Sequence, residues 1–204
     1  MSRADEVAVA GGSGEADVGA AAARTDPAPA EVKRVARSLQ RIRGAALDAI
    51  IAALREAFAV QRCTLRLDDE GELFPVRHES SIPPASSLIG DRSVALRGQP
   101  VAEALLGGAA QVIQPDTRAA SEDPAFLRML ELYGGLGAQI VTAVRCEGRL
   151  VGIISLHQLG GPRAWSTEEA ELAQAAADLV ARILDVGPPA GSRRPAPARP
   201  GPAR

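Results

Sequence analysis

His157 is the side chain of this sequence best placed to do chemistry. It closes the run Ile153-Ile154-Ser155-Leu156-His157, whose apolar content marks a strand, so His157 shares one face with Ser155 and Ile153. Facing a ligand, a neutral imidazole there exchanges one hydrogen bond and a charged one meets an acidic group. The alternative is a core histidine satisfied by backbone or neighbours. Asp116-Thr117-Arg118, following a brief apolar strand, is the second candidate. Either this turn caps a cavity with Arg118 holding an anion, or Asp116 bonds its own backbone. Arg163, in Pro162-Arg163-Ala164-Trp165, reads as a clamp on the loop before the last helix.

Catalytic motifs are missing. The sequence has no Gly-x-Ser-x-Gly elbow, no His-Glu-x-x-His and no phosphate-binding glycine loop. Cys63 and Cys146 lie far apart, without the spacing of a zinc site or a redox pair, and read as reduced structural thiols. We therefore expect no enzyme, no metal and no cofactor beyond an unidentified small-molecule ligand.

The 204 residues, 46% of them hydrophobic and with a formal net charge of -2, fit one soluble domain. Trp165, Tyr133, Phe58, Phe74 and Phe126 are all the aromatic residues, so the core is built from Val, Ile, Leu and Ala, with few stacking partners for nucleobases or tetrapyrroles. Lys33 is the only lysine among 23 basic residues, a sign of compositional bias that makes the arginines weak evidence for a polyanion, and no nucleic-acid partner is expected. Neither a secretory leader nor an apolar run of about 18 residues is present, which implies a cytoplasmic protein without a membrane partner.

Residues 1–30 are Gly, Ala and acidic residues without periodicity, and residues 187–204 are Pro, Gly, Ala and Arg; both read as disordered, leaving a domain over 31–186. A long helix spans about 31–58. Its first half repeats Val32, Val35, Leu39 and Ile42, its second Leu47, Ile50, Ile51, Leu54 and Phe58, so one helix serves a partner helix first and its own domain second. Strands are expected near 62–68 and 72–79 around Asp69-Glu70-Gly71, then a helix over 100–107, a strand over 110–113 and a helix over 124–133. Ala138–Cys146 and Arg149–Gln158 flank the two-residue turn Glu147-Gly148. Ser166 and Glu169 form a capping box that opens the last helix, whose stripe is Leu172, Ala176, Leu179, Val180 and Ile183. The order predicts an α+β fold with an antiparallel sheet.

An uninterrupted register across that turn sets Thr142 opposite Ile153, Ile140 opposite Ser155 and Ala138 opposite His157. Thr142, Ser155 and His157 then share a pocket face. The other face carries Val141, Ala143, Leu150, Ile154 and Leu156, with Gly152 where a helix approaches.

The run Gly148–Gln158 followed by Pro162-Arg163-Ala164-Trp165-Ser166 resembles the closing half of GAF domains over about residues 45–184, nearest to the phytochrome and cyanobacteriochrome branch and also similar to bacterial signalling GAF domains that bind no pigment. The resemblance implies a five- or six-stranded antiparallel sheet, a small-molecule pocket on one face, and N- and C-terminal helices on the other that commonly dimerise. It also implies a histidine reaching the ligand cavity at the position of His157. Bilin-binding members carry a Cys-His pair in the helix before the central hairpin; here that helix reads Phe126-Leu127-Arg128-Met129-Leu130-Glu131-Leu132-Tyr133, so no covalent bilin is expected. The implied function is a ligand-sensing or regulatory homodimer whose response is supplied by a separate signalling output protein. A scaffold with a collapsed pocket is the alternative. A third reading, a thiol-dependent reductase of free methionine sulfoxide, requires Cys63 and Cys146 within bonding distance or in a shared pocket.

Overall fold

The computed structural model describes residues 29–68, 74–90 and 98–185. The expected leader and tail, and the Asp69-Glu70-Gly71 turn, fall almost wholly outside these. The chain divides into two compact units, Met1–Arg37 and Ser38–Arg204. Of the first, the described part is the opening of helix α1 (Pro29–Ala57), where Val32 and Val35 are exposed. The rest of α1, the sheet and the other helices belong to the second.

Five strands form one antiparallel sheet: β1 (Arg62–Leu67), β2 (Val76–Ser81), β3 (Gln111–Gln114), β4 (Leu136–Cys146) and β5 (Arg149–Leu159), in the order β2-β1-β5-β4-β3. Helices α2 (Pro100–Leu106) and α3 (Pro124–Leu132) lie between the strands in sequence, and α4 (Thr167–Asp185) closes the fold. Each starts as its sequence dictates. Pro100 and Pro124 occupy first-turn positions where no N–H is needed, and Asp123 accepts from the Ala125 N–H. The Ser166 and Glu169 side chains and backbones bond reciprocally at the start of α4.

The β4–β5 hairpin turns at Glu147 and Gly148, both with positive φ, 50° and 77°, the left-handed pair of a type I′ turn. Cys146 pairs with Arg149 and Arg145 with Leu150, but the ladder then slips, so that Val144 pairs with Gly152, Ala143 with Ile153, Val141 with Ser155 and Gln139 with His157. One extra residue on β5, at Val151, is a β-bulge. It reverses the face of the β4 residues from Ala138 to Val144 relative to the expected pairing. Thr142, expected opposite Ile153, pairs with Ile154, and Ile140 with Leu156; Val141 and Ala143 move to the face once reserved for the pocket. Gly152 faces another strand rather than a helix, since a Cβ there would stand 2.8 Å from the Arg66 carbonyl oxygen.

Each sheet face packs its own layer. On one, Cys63, Leu65, Ile140, Val144, Ile154 and Leu156 meet Leu47, Ile51, Leu54 and Phe58 of the α1 end and Ala173, Ala177 and Val180 of α4. The alanines let α4 lie close to the strands. The stripe expected along α4 is divided: Ala176 and Val180 face the sheet, whereas Leu172 and Leu179 are exposed. On the other face α2 and α3 cover Val141, Ala143, Ile153, Leu136 and Leu159. Among the described residues no helix is long and apolar enough to cross a membrane.

Candidate functional site

Strand parity builds a polar strip on the α2/α3 face. Arg62, Thr64 and Arg66 of β1 alternate with the helix-facing Cys63 and Leu65, and Thr64 pairs with Ser155 of β5, while Arg62 pairs with His157. A cavity of about 50 Å³ lies above this strip. Arg66, Gln99, Gln139, Ser155 and His157 contribute its polar lining, and apolar residues, among them Leu105 of α2 and Met129 of α3, make up most of the wall. Tyr133, just past the end of α3, closes it with its ring stacked on His157, centroids 5.9 Å apart at 22°.

Arg62 is fully buried yet well bonded. Its Nε donates to His157 Nδ1 at 3.0 Å, Nη1 to the Ser86 carbonyl at 3.0 Å and Nη2 to the Tyr133 carbonyl at 2.9 Å. A guanidinium nitrogen only donates, so Nδ1 must accept, and the ring is neutral with its proton on Nε2. Burial, and then the charges of Arg62 and Arg66, hold the His157 pKa well below its ordinary value, in agreement with that tautomer. Burial also draws the Arg62 pKa down, against the opposing charge of Glu79; an arginine nonetheless stays protonated. Arg66 donates to the Phe74 carbonyl at 3.0 Å and to the Tyr133 hydroxyl at 3.1 Å.

Of the six residues expected at the site, His157, Ser155 and Ile153 line the cavity together. Thr142 does not. The bulge turns it to the helix-covered face, where its hydroxyl accepts from Gln111 Nε2 at 2.9 Å while Gln111 also donates to the Ala170 carbonyl of α4. Asp116 and Arg118 do not line it either. Asp116 Oδ1 accepts from the Arg118 N–H, the self-closed turn, and Arg118 forms an exposed ion pair with Glu131. Arg163 clamps as expected, donating to the Phe58 carbonyl at 2.7 Å, pairing with Glu169 and lying 4.3 Å over the Trp165 ring.

Sequence reasoning missed Arg62, Arg66, Tyr133 and Gln139. The signal for the arginines was present: in Arg62-Cys63-Thr64-Leu65-Arg66-Leu67 every polar residue has one parity. The thiols stand apart from the cavity. Cys63 is buried beneath α1 with its pKa pushed up by desolvation, and Cys146, also raised chiefly by burial, contacts the Ala181 carbonyl of α4. The reductase reading required the two thiols within bonding distance or in a shared pocket; both are free cysteines and the cavity contains neither.

A family model described as the GAF domain matches residues 43–184. Comparison with curated proteins gave no match. Among solved structures, the fold is similar to the cyanobacteriochrome receptor PixJ, with 22% identity over 72% of this chain and 98% of the other and a TM-score of 0.62. The blue-light-absorbing form of the PixJ GAF domain from Thermosynechococcus elongatus gives 24% identity, 72% and 90% coverage and a TM-score of 0.59. The GAF domain of an Acinetobacter phosphoenolpyruvate-protein phosphotransferase gives 14%, 78% and 95%, and 0.57.

Proposed function

The chain belongs to the GAF domain family, and on that premise we propose that it is a non-enzymatic regulatory domain that senses a small molecule at His157 and reports through its outer helices as a homodimer. The carrying observation is the cavity on the sheet face opposite α1 and α4, whose mostly apolar wall bears Arg66, Ser155 and His157. Strand β5 joins the two: Ser155 and His157 line the cavity, while Ile154 and Leu156, alternating with them, pack beneath the helices. A ligand that displaces β5 is therefore felt in the helical layer.

Dimerisation is supported by the outer helix surfaces. Leu39 and Ile42 of α1 are 62% and 66% exposed, and Leu172 and Leu179 of α4 stand out beside the exposed Glu171 and Asp178. The basic Arg41 beside Leu39 and Ile42 complements those carboxylates, so α1 of one copy suits α4 of a second. The signal then passes to a separate output protein in the cytoplasm. Unlike pigment-attaching relatives, α3 offers no thiol, and about 50 Å³ is far below the roughly 300–1,000 Å³ of ordinary ligand pockets. This reading has no covalent bilin.

The small volume also favours a second reading, a scaffold whose pocket has closed. Native mass spectrometry of protein purified from its own host separates them. Sensing predicts a dimer retaining a small molecule; a dimer with nothing bound favours the scaffold, and an empty monomer rejects both. Replacing Leu39 and Ile42 by Asp is expected to halve the mass, because unpaired charges cannot be buried in the seam.

A further inference from the structure

The cavity wall is mostly apolar, its polar groups include the Arg66 guanidinium, the Ser155 hydroxyl and the His157 ring, and none of the described residues lining it is acidic. Arg62 and Arg66 both face this side of the sheet, and neither lies within 4.0 Å of a carboxylate among the described residues. Glu79 already opposes the charge of Arg62; the half-buried Arg66 has no such close partner, and a negative charge beside it would be favourable. The tautomer of His157 leaves Nε2–H as the ring's remaining polar group, and no described residue accepts from it. The hydroxyl of Ser155 likewise has no described partner.

Size narrows the class further. At about 10–15 Å³ for each water-sized site, a cavity of about 50 Å³ holds roughly three to five such positions. A cation would confront Arg66, and an apolar molecule would leave the donors unmatched.

We propose that the ligand is a compact monoanion of the size of formate, acetate or nitrate, held between the Arg66 guanidinium and His157 Nε2–H with the Ser155 hydroxyl beside them. This rests on the sensing reading and gives its ligand class. Arg62 acts through His157, as a positioning residue that keeps Nε2–H available to the anion.

The test follows the His157 ring by ¹H–¹⁵N NMR on the full chain. Sodium formate, acetate and nitrate are titrated with sulfate, a bulkier dianion, holding ionic strength constant; acetamide is the neutral isostere of acetate. At least one monoanion should shift the Nε2 resonance saturably and bind about tenfold or more tightly than acetamide, since bonds to charged groups are the stronger class. Arg66→Gln should reduce that preference to the acetamide level, and Arg66→Lys should restore part of it. If Arg66→Gln does not fold, the acetate-to-acetamide ratio of the unaltered protein decides. Acetamide binding as tightly as every anion overturns the anion class and leaves sensing intact. No response to any probe also overturns the proposal; whether sensing falls with it is read from the molecule retained, or not retained, in native mass spectrometry.

Discussion

The two faces of this sheet share five strands and almost nothing else. Beneath α1 and α4 the strands present Cys63, Leu65, Ile140, Ile154 and Leu156, closed against aliphatic side chains and alanines. Beneath α2 and α3 they present Arg62, Thr64, Arg66, Gln139, Ser155 and His157 around a residual cavity. The first face has to satisfy the buried Thr142 hydroxyl, which Gln111 does; the second must also satisfy a buried guanidinium and imidazole. The first face is thus a closed apolar layer, while the second combines two apolar clusters with the polar strip and the cavity on which the proposed sensing rests.

The largest expected effect comes from the apolar face. Ile154 is fully buried, so Ile154→Ala removes packed methyl groups and leaves a void, at a cost of about 2–5 kcal/mol in urea unfolding. On the same strand, His157→Leu keeps similar bulk but leaves Arg62 Nε without its acceptor. A hydrogen bond to a charged group contributes about 1.5–3 kcal/mol, and the Ser86 and Tyr133 carbonyls still hold the guanidinium, so the domain should fold. A loss equal to that of Ile154→Ala would break the comparison and make His157 a core histidine.

A pH titration of stability sharpens it. Because the folded pKa of His157 is depressed, the unfolded chain binds the extra proton first as pH falls below the unfolded value of about 6.5. Stability should fall by up to about 1.4 kcal/mol per pH unit from there down towards the folded pKa. This contribution should vanish in His157→Leu; a slope unchanged by that substitution would assign the dependence elsewhere. The smallest effect is expected at Thr142. Thr142→Val should cost about 0.5–1.5 kcal/mol through the lost Gln111 bond and leave the His157 ring resonances in place, because the residue lies on the other face.

That last contrast marks where the sequence stops being readable. The elements were legible because each carries its own local chemistry: a proline at the start of α2 and of α3, the Ser166–Glu169 box, and Glu147-Gly148 between two apolar runs. The face of β5 followed from its own two-residue period, so His157, Ser155 and Ile153 were placed together. The β4 side did not follow. A bulge inserts one residue without any composition of its own, and where apolar residues fill both parities a slip at Val151 has no polar outlier to betray it. Asp116-Thr117-Arg118 fits both its readings equally well in one dimension, and the distance of Arg118 from the cavity is a tertiary fact. Likewise α4 shows a broad stripe, and which of its residues meet the sheet depends on how closely Ala173 and Ala177 let it approach.

Cavity, charge and coupling between the faces all meet at one ring. Selective ¹⁵N labelling of histidine and two-dimensional NMR between about pH 8 and 6 reads the tautomer of His157 directly, with His157→Leu supplying the assignment. We expect a protonated Nε2, a bare Nδ1 accepting from Arg62, and no titration across that range, with the Nε2 proton shifted by whatever enters the cavity. A ring protonated on Nδ1, or one titrating near 6.5 like a free histidine, would contradict both the Arg62 contact and the site built on it.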